Sequence, residues 1–122
     1  MADQFAQNGY STLIVDTFNK DPVKMNGPPG FDIMKWLNEG TGGGPHTYKE
    51  VDPIVETAIK YLKDQGFSKI GSVGYCFGGK YVARFMAKGK GIDVGYTAHP
   101  SYVLPFLYGL LELILSQFRR RG

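Results

Sequence analysis

One cysteine, Cys76, is all that the 122 residues contain. No internal disulfide can therefore hold the fold, and the chain fits a reducing compartment, the cytoplasm. No charge of one sign prevails either. Three of the 14 basic residues are Arg119, Arg120 and Arg121, and the remaining 11 balance 11 acidic ones. That leaves no basic face of the kind a nucleic-acid binder needs. No apolar run reaches the roughly 20 residues that span a bilayer; the longest candidate, residues 104 to 118, is broken by Glu112, Ser116 and Gln117. The opening MADQFAQNGY has neither the charged nor the apolar region of a secretory signal. Histidine is scarce as well, with His46 and His99 only.

What is there reads as one ordinary globular domain, 43% hydrophobic and 20% charged. The most informative stretch is Lys69 to Met86, KIGSVGYCFGGKYVARFM. Ile70 to Tyr75 is a short run of small and β-branched residues, which predicts a buried strand. Tyr81, Val82, Arg84, Phe85 and Met86 follow at helical spacing. Between them stands Gly74-Tyr75-Cys76-Phe77-Gly78-Gly79, a strand-to-helix turn with one nucleophilic side chain at its apex. Such a turn needs a strained backbone, and glycines around it let strand and helix come close. G-x-C-x-G is the cysteine form of the nucleophile elbow, and it sets the thiol at a helix N-terminus, a setting that favours thiolates. Gly74 to Gly79-Lys80 also matches the start of a phosphate-binding loop. The match fails at Tyr81, where Ser or Thr should hold magnesium, and that reading is set aside.

The strings GYCFGGKYVARF and GKGIDVGYTAHPSYV resemble the dienelactone hydrolase family, in particular its fungal branch. The likeness extends back through DQFAQNGYSTLIVDTFNKDPV and VDPIVETAIKYLKD, so it covers about residues 2 to 103. The resemblance implies an α/β-hydrolase that opens lactones or related esters with a Cys-His-Asp triad. Cys76 would be its nucleophile, and Phe77 would lend a backbone N–H to the oxyanion hole. Gly74, Gly78 and Gly79 would be the elbow glycines. His99 falls outside the triad, since in this fold the histidine comes late and after the acid. It is therefore expected as a pocket-wall or structural residue. Trp36, on a segment that lies near the pocket in the family, is a second candidate for the pocket wall. No triad Asp or His is assignable, so little or no activity is expected of this chain alone. A non-catalytic relative acting by association, through exposed sheet edges or a membrane surface, is the competing expectation. Neither motif nor resemblance calls for a metal or cofactor; the expected partner is a small ester or lactone.

In chain order, Ala2 to Asn8 predicts the last turns of a helix, stopped by Gly9. Ser11 to Phe18 predicts a doubly covered strand, with Asp16 as a turn carboxylate near its end. Phe31 to Leu37 predicts a short helix, and Gly40 to Pro45 a flexible connector with His46 as a solvated loop residue after it. Asp52-Pro53 predicts a helix start, and Ile54, Val55, Ala58, Ile59 and Leu62 form its apolar stripe. Ile92 to Ala98 predicts a strand ending at His99-Pro100. The expected architecture is a partial α/β-hydrolase fold over residues 1 to 103, with three mostly parallel strands and flanking helices. Residues 104 to 122 form a divergent apolar tail, expected as a helix.

Overall fold

The computed structural model describes residues 1–23, 27–42, 44–87 and 89–101. The expected C-terminal helix lies outside these residues. They form two compact units, Met1–Tyr61 and the part that begins at Leu62.

In the first unit, α1 (Ala2–Gln7) ends at Gly9, whose φ of +88° is the left-handed stop that glycine takes without a Cβ penalty. The expected strand at Ser11–Phe18 does not form. β-branched residues supply propensity, but a strand exists only against a ladder partner, and Ser11–Asp16 has none among the described residues. Leu13 and Ile14 are 41% and 78% exposed. Asp16 is the turn carboxylate expected, accepting from the backbone N–H groups of Phe18 at 3.0 Å and Lys20 at 2.9 Å.

Helix α2 runs Ile33–Glu39, two residues later than expected at each end. Asp32 caps it, its carboxylate accepting from Met34 N–H and Lys35 N–H. Trp36 is the side chain it buries, whereas Ile33 and Met34 remain exposed. Helix α3 spans Tyr48–Asp64, and so begins a turn earlier than Asp52-Pro53. The reason is a capping signal at Thr47-x-x-Glu50: the Thr47 hydroxyl accepts from Lys49 N–H at 3.3 Å and donates to the Glu50 carboxylate. That bond, more than the neighbouring groups, holds Glu50 below the usual carboxylate range. Pro53 is accommodated inside the helix, and the extra turn buries Val51.

His46 is not solvated. It is 2% exposed, and its Nε2 lies 3.0 Å from Oδ2 of Asp21, itself 8% exposed. The same carboxylate takes the Thr41 backbone N–H at 2.7 Å and the Thr41 hydroxyl. The Trp36 indole N–H donates to the Asp21 carbonyl at 3.3 Å, and its ring meets His46 at 4.2 Å and Phe18 at 5.2 Å. A buried carboxylate needs this many donors to offset its lost hydration. The connector at Gly40–Pro45 is thus tied down at Thr41 by Asp21. Gly40 is required there: a Cβ would collide with the Gly44 carbonyl.

In the second unit, strand β1 (Gly71–Tyr75), helix α4 (Phe77–Phe85) and strand β2 (Val94–Ala98) make one crossover unit. The strands are parallel, with Gly71 opposite Val94, Val73 opposite Tyr96 and Tyr75 opposite Ala98. Among the described residues two strands are present where three were expected. Helix α4 buries Tyr81, Val82, Ala83 and Phe85. The strand positions beneath it are small, because a Cβ on Gly95 would meet Val82 at 2.6 Å, and one on Gly74 would meet it at 2.8 Å. Alternation sends Val73, Tyr75, Val94 and Tyr96 to the opposite face, where they are 40% to 58% exposed. At the opposite end from the elbow, the Asp93 carboxylate accepts from Ile70 N–H at 2.9 Å and approaches the Lys69 ammonium at 3.5 Å. Those two groups, the backbone N–H first, hold it below its ordinary range.

Candidate active site

Strand β1 ends at Tyr75 and α4 begins at Phe77, so one residue, Cys76, makes the whole connection. A bend that sharp forces an unusual backbone, and Cys76 has φ +47° and ψ −112°. For a residue with a Cβ this region is costly, and it persists only when the surroundings impose it. The surroundings here are hydrogen bonds on both sides of the residue. Cys76 N–H donates to the Ala98 carbonyl at 3.2 Å, and the Cys76 carbonyl accepts from Ser101 N–H at 2.9 Å and Lys80 N–H at 3.3 Å. The thiol itself is exposed.

Two of the three expected elbow glycines are sterically required. A Cβ on Gly74 would lie 2.6 Å from the carbonyl carbon and oxygen of Gly78. One on Gly79 would run into the Thr97 hydroxyl and approach Pro100 at 3.2 Å. Gly78 differs: a Cβ there meets nothing within 4 Å. The same compactness argues against a phosphate cradle, which needs a loop wide enough to wrap an anion; a one-residue connection is not.

His99 follows β2 directly, in the turn that clasps the elbow. It is exposed, has φ +37°, and its ring lies 6.4 Å from that of Tyr75. Asp93, the acid between elbow and His99 in sequence, is at the far end of β2 and engaged there. Trp36 belongs to the first unit and is 4% exposed, its ring taken up by Phe18 and His46. That packing is that of a core side chain and lends no support to a pocket-wall role. The Asp21–His46 pair is what sequence reasoning missed, and no local motif announces it. The first unit also has an open apolar groove of about 370 Å³ between residues 13–16 and α3, with neither cysteine nor histidine in its lining. Among the described residues no three His, Cys, Asp or Glu side chains gather as a metal site would require, and no helix is long and apolar enough to cross a membrane.

A parallel β-α-β unit with a strained, exposed cysteine at the strand-to-helix junction has the elbow arrangement of α/β-hydrolases. The chain matches the dienelactone hydrolase family over residues 1–108 and belongs to that family, whose fold is α/β-hydrolase. It is 48% identical over 106 residues to hydrolase tropI of Talaromyces stipitatus, an alignment covering 84% of this chain and 41% of that protein. It is 42% identical to hydrolase pyvD of Aspergillus violaceofuscus, over 86% of this chain and 40% of the relative. The human carboxymethylenebutenolidase homolog is 30% identical, over 81% and 38% respectively. The chain thus spans about two fifths of the length of these relatives. No solved structure matches it significantly.

Proposed function

We propose that this chain carries the nucleophile of a dienelactone-hydrolase-type enzyme that cleaves a lactone or carboxylic ester. The Cys76 thiolate attacks the carbonyl carbon, forming an S–C bond, and the oxyanion draws on the Phe77 backbone N–H. Collapse breaks the C–O bond, releases the alcohol and leaves a thioester, which water hydrolyses to restore the thiol. Gly74 and Gly79 keep strand and helix close enough to present the sulfur, and His99 forms the wall beside it. The single observation that carries this reading is the exposed Cys76 at φ +47° between β1 and α4. No acid and base completing a triad are assigned among these residues, so hydrolysis by this chain alone is expected to be weak. Its one cysteine fits cytoplasmic placement.

The second reading is association without catalysis. It draws on the uncovered apolar face, where Val94 and Tyr96 are each 58% exposed, a surface that folded proteins seldom leave bare. An activated-ester turnover assay on the chain and on Cys76→Ala separates the two. Turnover lost in the variant supports the hydrolase, and equal rates remove it.

A further inference from the structure

We propose that Ser101 is a positioning residue for the oxyanion: its backbone N–H, bound to the Cys76 carbonyl, aims the Phe77 N–H at the place where the negative oxygen forms; this deepens the reading of Cys76 as nucleophile and rests on it. A peptide unit is planar, with its carbonyl oxygen and amide hydrogen on opposite sides. The Cys76 carbonyl and the Phe77 N–H belong to one such unit, so whatever fixes the oxygen also fixes the direction of the hydrogen. Ser101 N–H holds that oxygen at 2.9 Å, the shorter of its two bonds. The other, from Lys80 N–H at 3.3 Å, is the ordinary first bond of α4 and comes from within the helix.

The preceding peptide unit is held from the same turn. Its amide, Cys76 N–H, donates to the Ala98 carbonyl at 3.2 Å. The φ and ψ of Cys76 are the angles by which these two planes turn about its Cα. Anchoring both planes to one stretch, Ala98 to Ser101, therefore sets the φ of +47° and ψ of −112° that would otherwise relax. That stretch is itself braced. Strand β2 ends at Ala98 opposite Tyr75, and Pro100 lies so near α4 that a Cβ on Gly79 would come within 3.2 Å of it. Donation to the Cys76 carbonyl also polarises the peptide unit and strengthens its N–H as a donor. A donor aimed beforehand needs no reorganisation while charge develops on the substrate oxygen, which is how such groups act on rate.

Two reactions of the same thiol, each followed by mass on the full chain, separate aim from accessibility. In acylation by para-nitrophenyl acetate, sulfur takes the acetyl group, para-nitrophenolate leaves, and a tetrahedral oxyanion forms on the way. In alkylation by iodoacetamide, sulfur displaces iodide and no oxyanion forms. Ser101→Pro removes the N–H, and Ser101→Ala is the conservative variant that keeps it. Loss of a whole oxyanion donor costs about 100- to 1,000-fold in rate, so a donor left misaimed should cost about tenfold. Acylation relative to alkylation should fall by that factor in Ser101→Pro and stay at the parent ratio in Ser101→Ala. The α-hydroxy acid analogue of serine at position 101 replaces the same N–H with an ester oxygen and adds no ring. It should match Ser101→Pro, and it gives the answer where proline disturbs the turn. A ratio unchanged in both chains that lack the N–H overturns the assignment, whether the two rates stay intact or fall together. So does a ratio in Ser101→Ala as low as theirs. Failure of the hydrolase reading shows elsewhere, as ester turnover that survives Cys76→Ala.

Discussion

Gly74→Ala and Gly78→Ala add the same methyl group two positions either side of Cys76, and the structure gives them opposite signs. At Gly74 the new carbon would sit 2.6 Å from both the carbonyl carbon and oxygen of Gly78, and 2.8 Å from a Val82 methyl. Carbon atoms are at ease near 3.5 to 4.0 Å, so about 1 Å of separation must be found. The obstruction is backbone in the first turn of α4, which cannot move without dragging Cys76 and the helix. Overpacking of this kind costs about 1–3 kcal/mol. At Gly78 a Cβ meets nothing within 4 Å, and alanine gains up to about 1 kcal/mol of helix propensity over glycine. The two variants should differ by about 1–4 kcal/mol. Urea unfolding followed by far-UV circular dichroism measures this directly, provided the slopes agree. Equal midpoints, or Gly78→Ala as the more damaging change, would refute the elbow packing described here.

Three further outcomes follow from particular contacts. His46→Ala should destabilise the first unit by about 2–4 kcal/mol, because it opens a cavity beside Trp36 and strips one donor from a buried carboxylate; hydrogen exchange at the Thr41 N–H should accelerate with it. Thr97→Val should be neutral or stabilising by up to about 1 kcal/mol, since the Thr97 hydroxyl is buried with no hydrogen-bond partner among the described residues; a loss above that size in thermal unfolding would show the hydroxyl is used. Asp93 is held below its ordinary range by the Ile70 N–H and Lys69, so its contribution is present above the unfolded value and lost as pH falls through the lower folded value. Asp93→Asn should therefore weaken the fold at neutral pH, with the difference from the parent chain shrinking on acidification; a difference independent of pH counts against the latch.

The second unit was the more legible part, and the reason is local. Small residues, a single cysteine and a helical apolar stripe within 18 positions encode the strand, the bend and α4, and each constrains the next. The first unit is held by contacts distant in sequence. Asp21 and His46 meet across 25 residues, and nothing in GTGGGPH says that a carboxylate outside the stretch will order it. Ser11–Phe18 shows the converse: a strong strand pattern stays irregular where no strand among the described residues pairs with it. The helix start at Thr47 was readable, since Thr47 and Glu50 have capping-box spacing, but Asp52-Pro53 carries a similar signal one turn later. Which of two adjacent caps is used depends on what the extra turn buries, here Val51. Gly78 looks like a third elbow glycine in the pattern, and only the geometry separates it from Gly74 and Gly79.

The most direct test of Cys76 as the acyl acceptor is intact-protein and peptide mass spectrometry after exposure to an activated acetate ester at pH 7. One acetyl group on the peptide containing Cys76, labile to hydroxylamine and absent from Cys76→Ala, is the predicted result. Acetylation that spares this cysteine, or that persists unchanged in the variant, contradicts it.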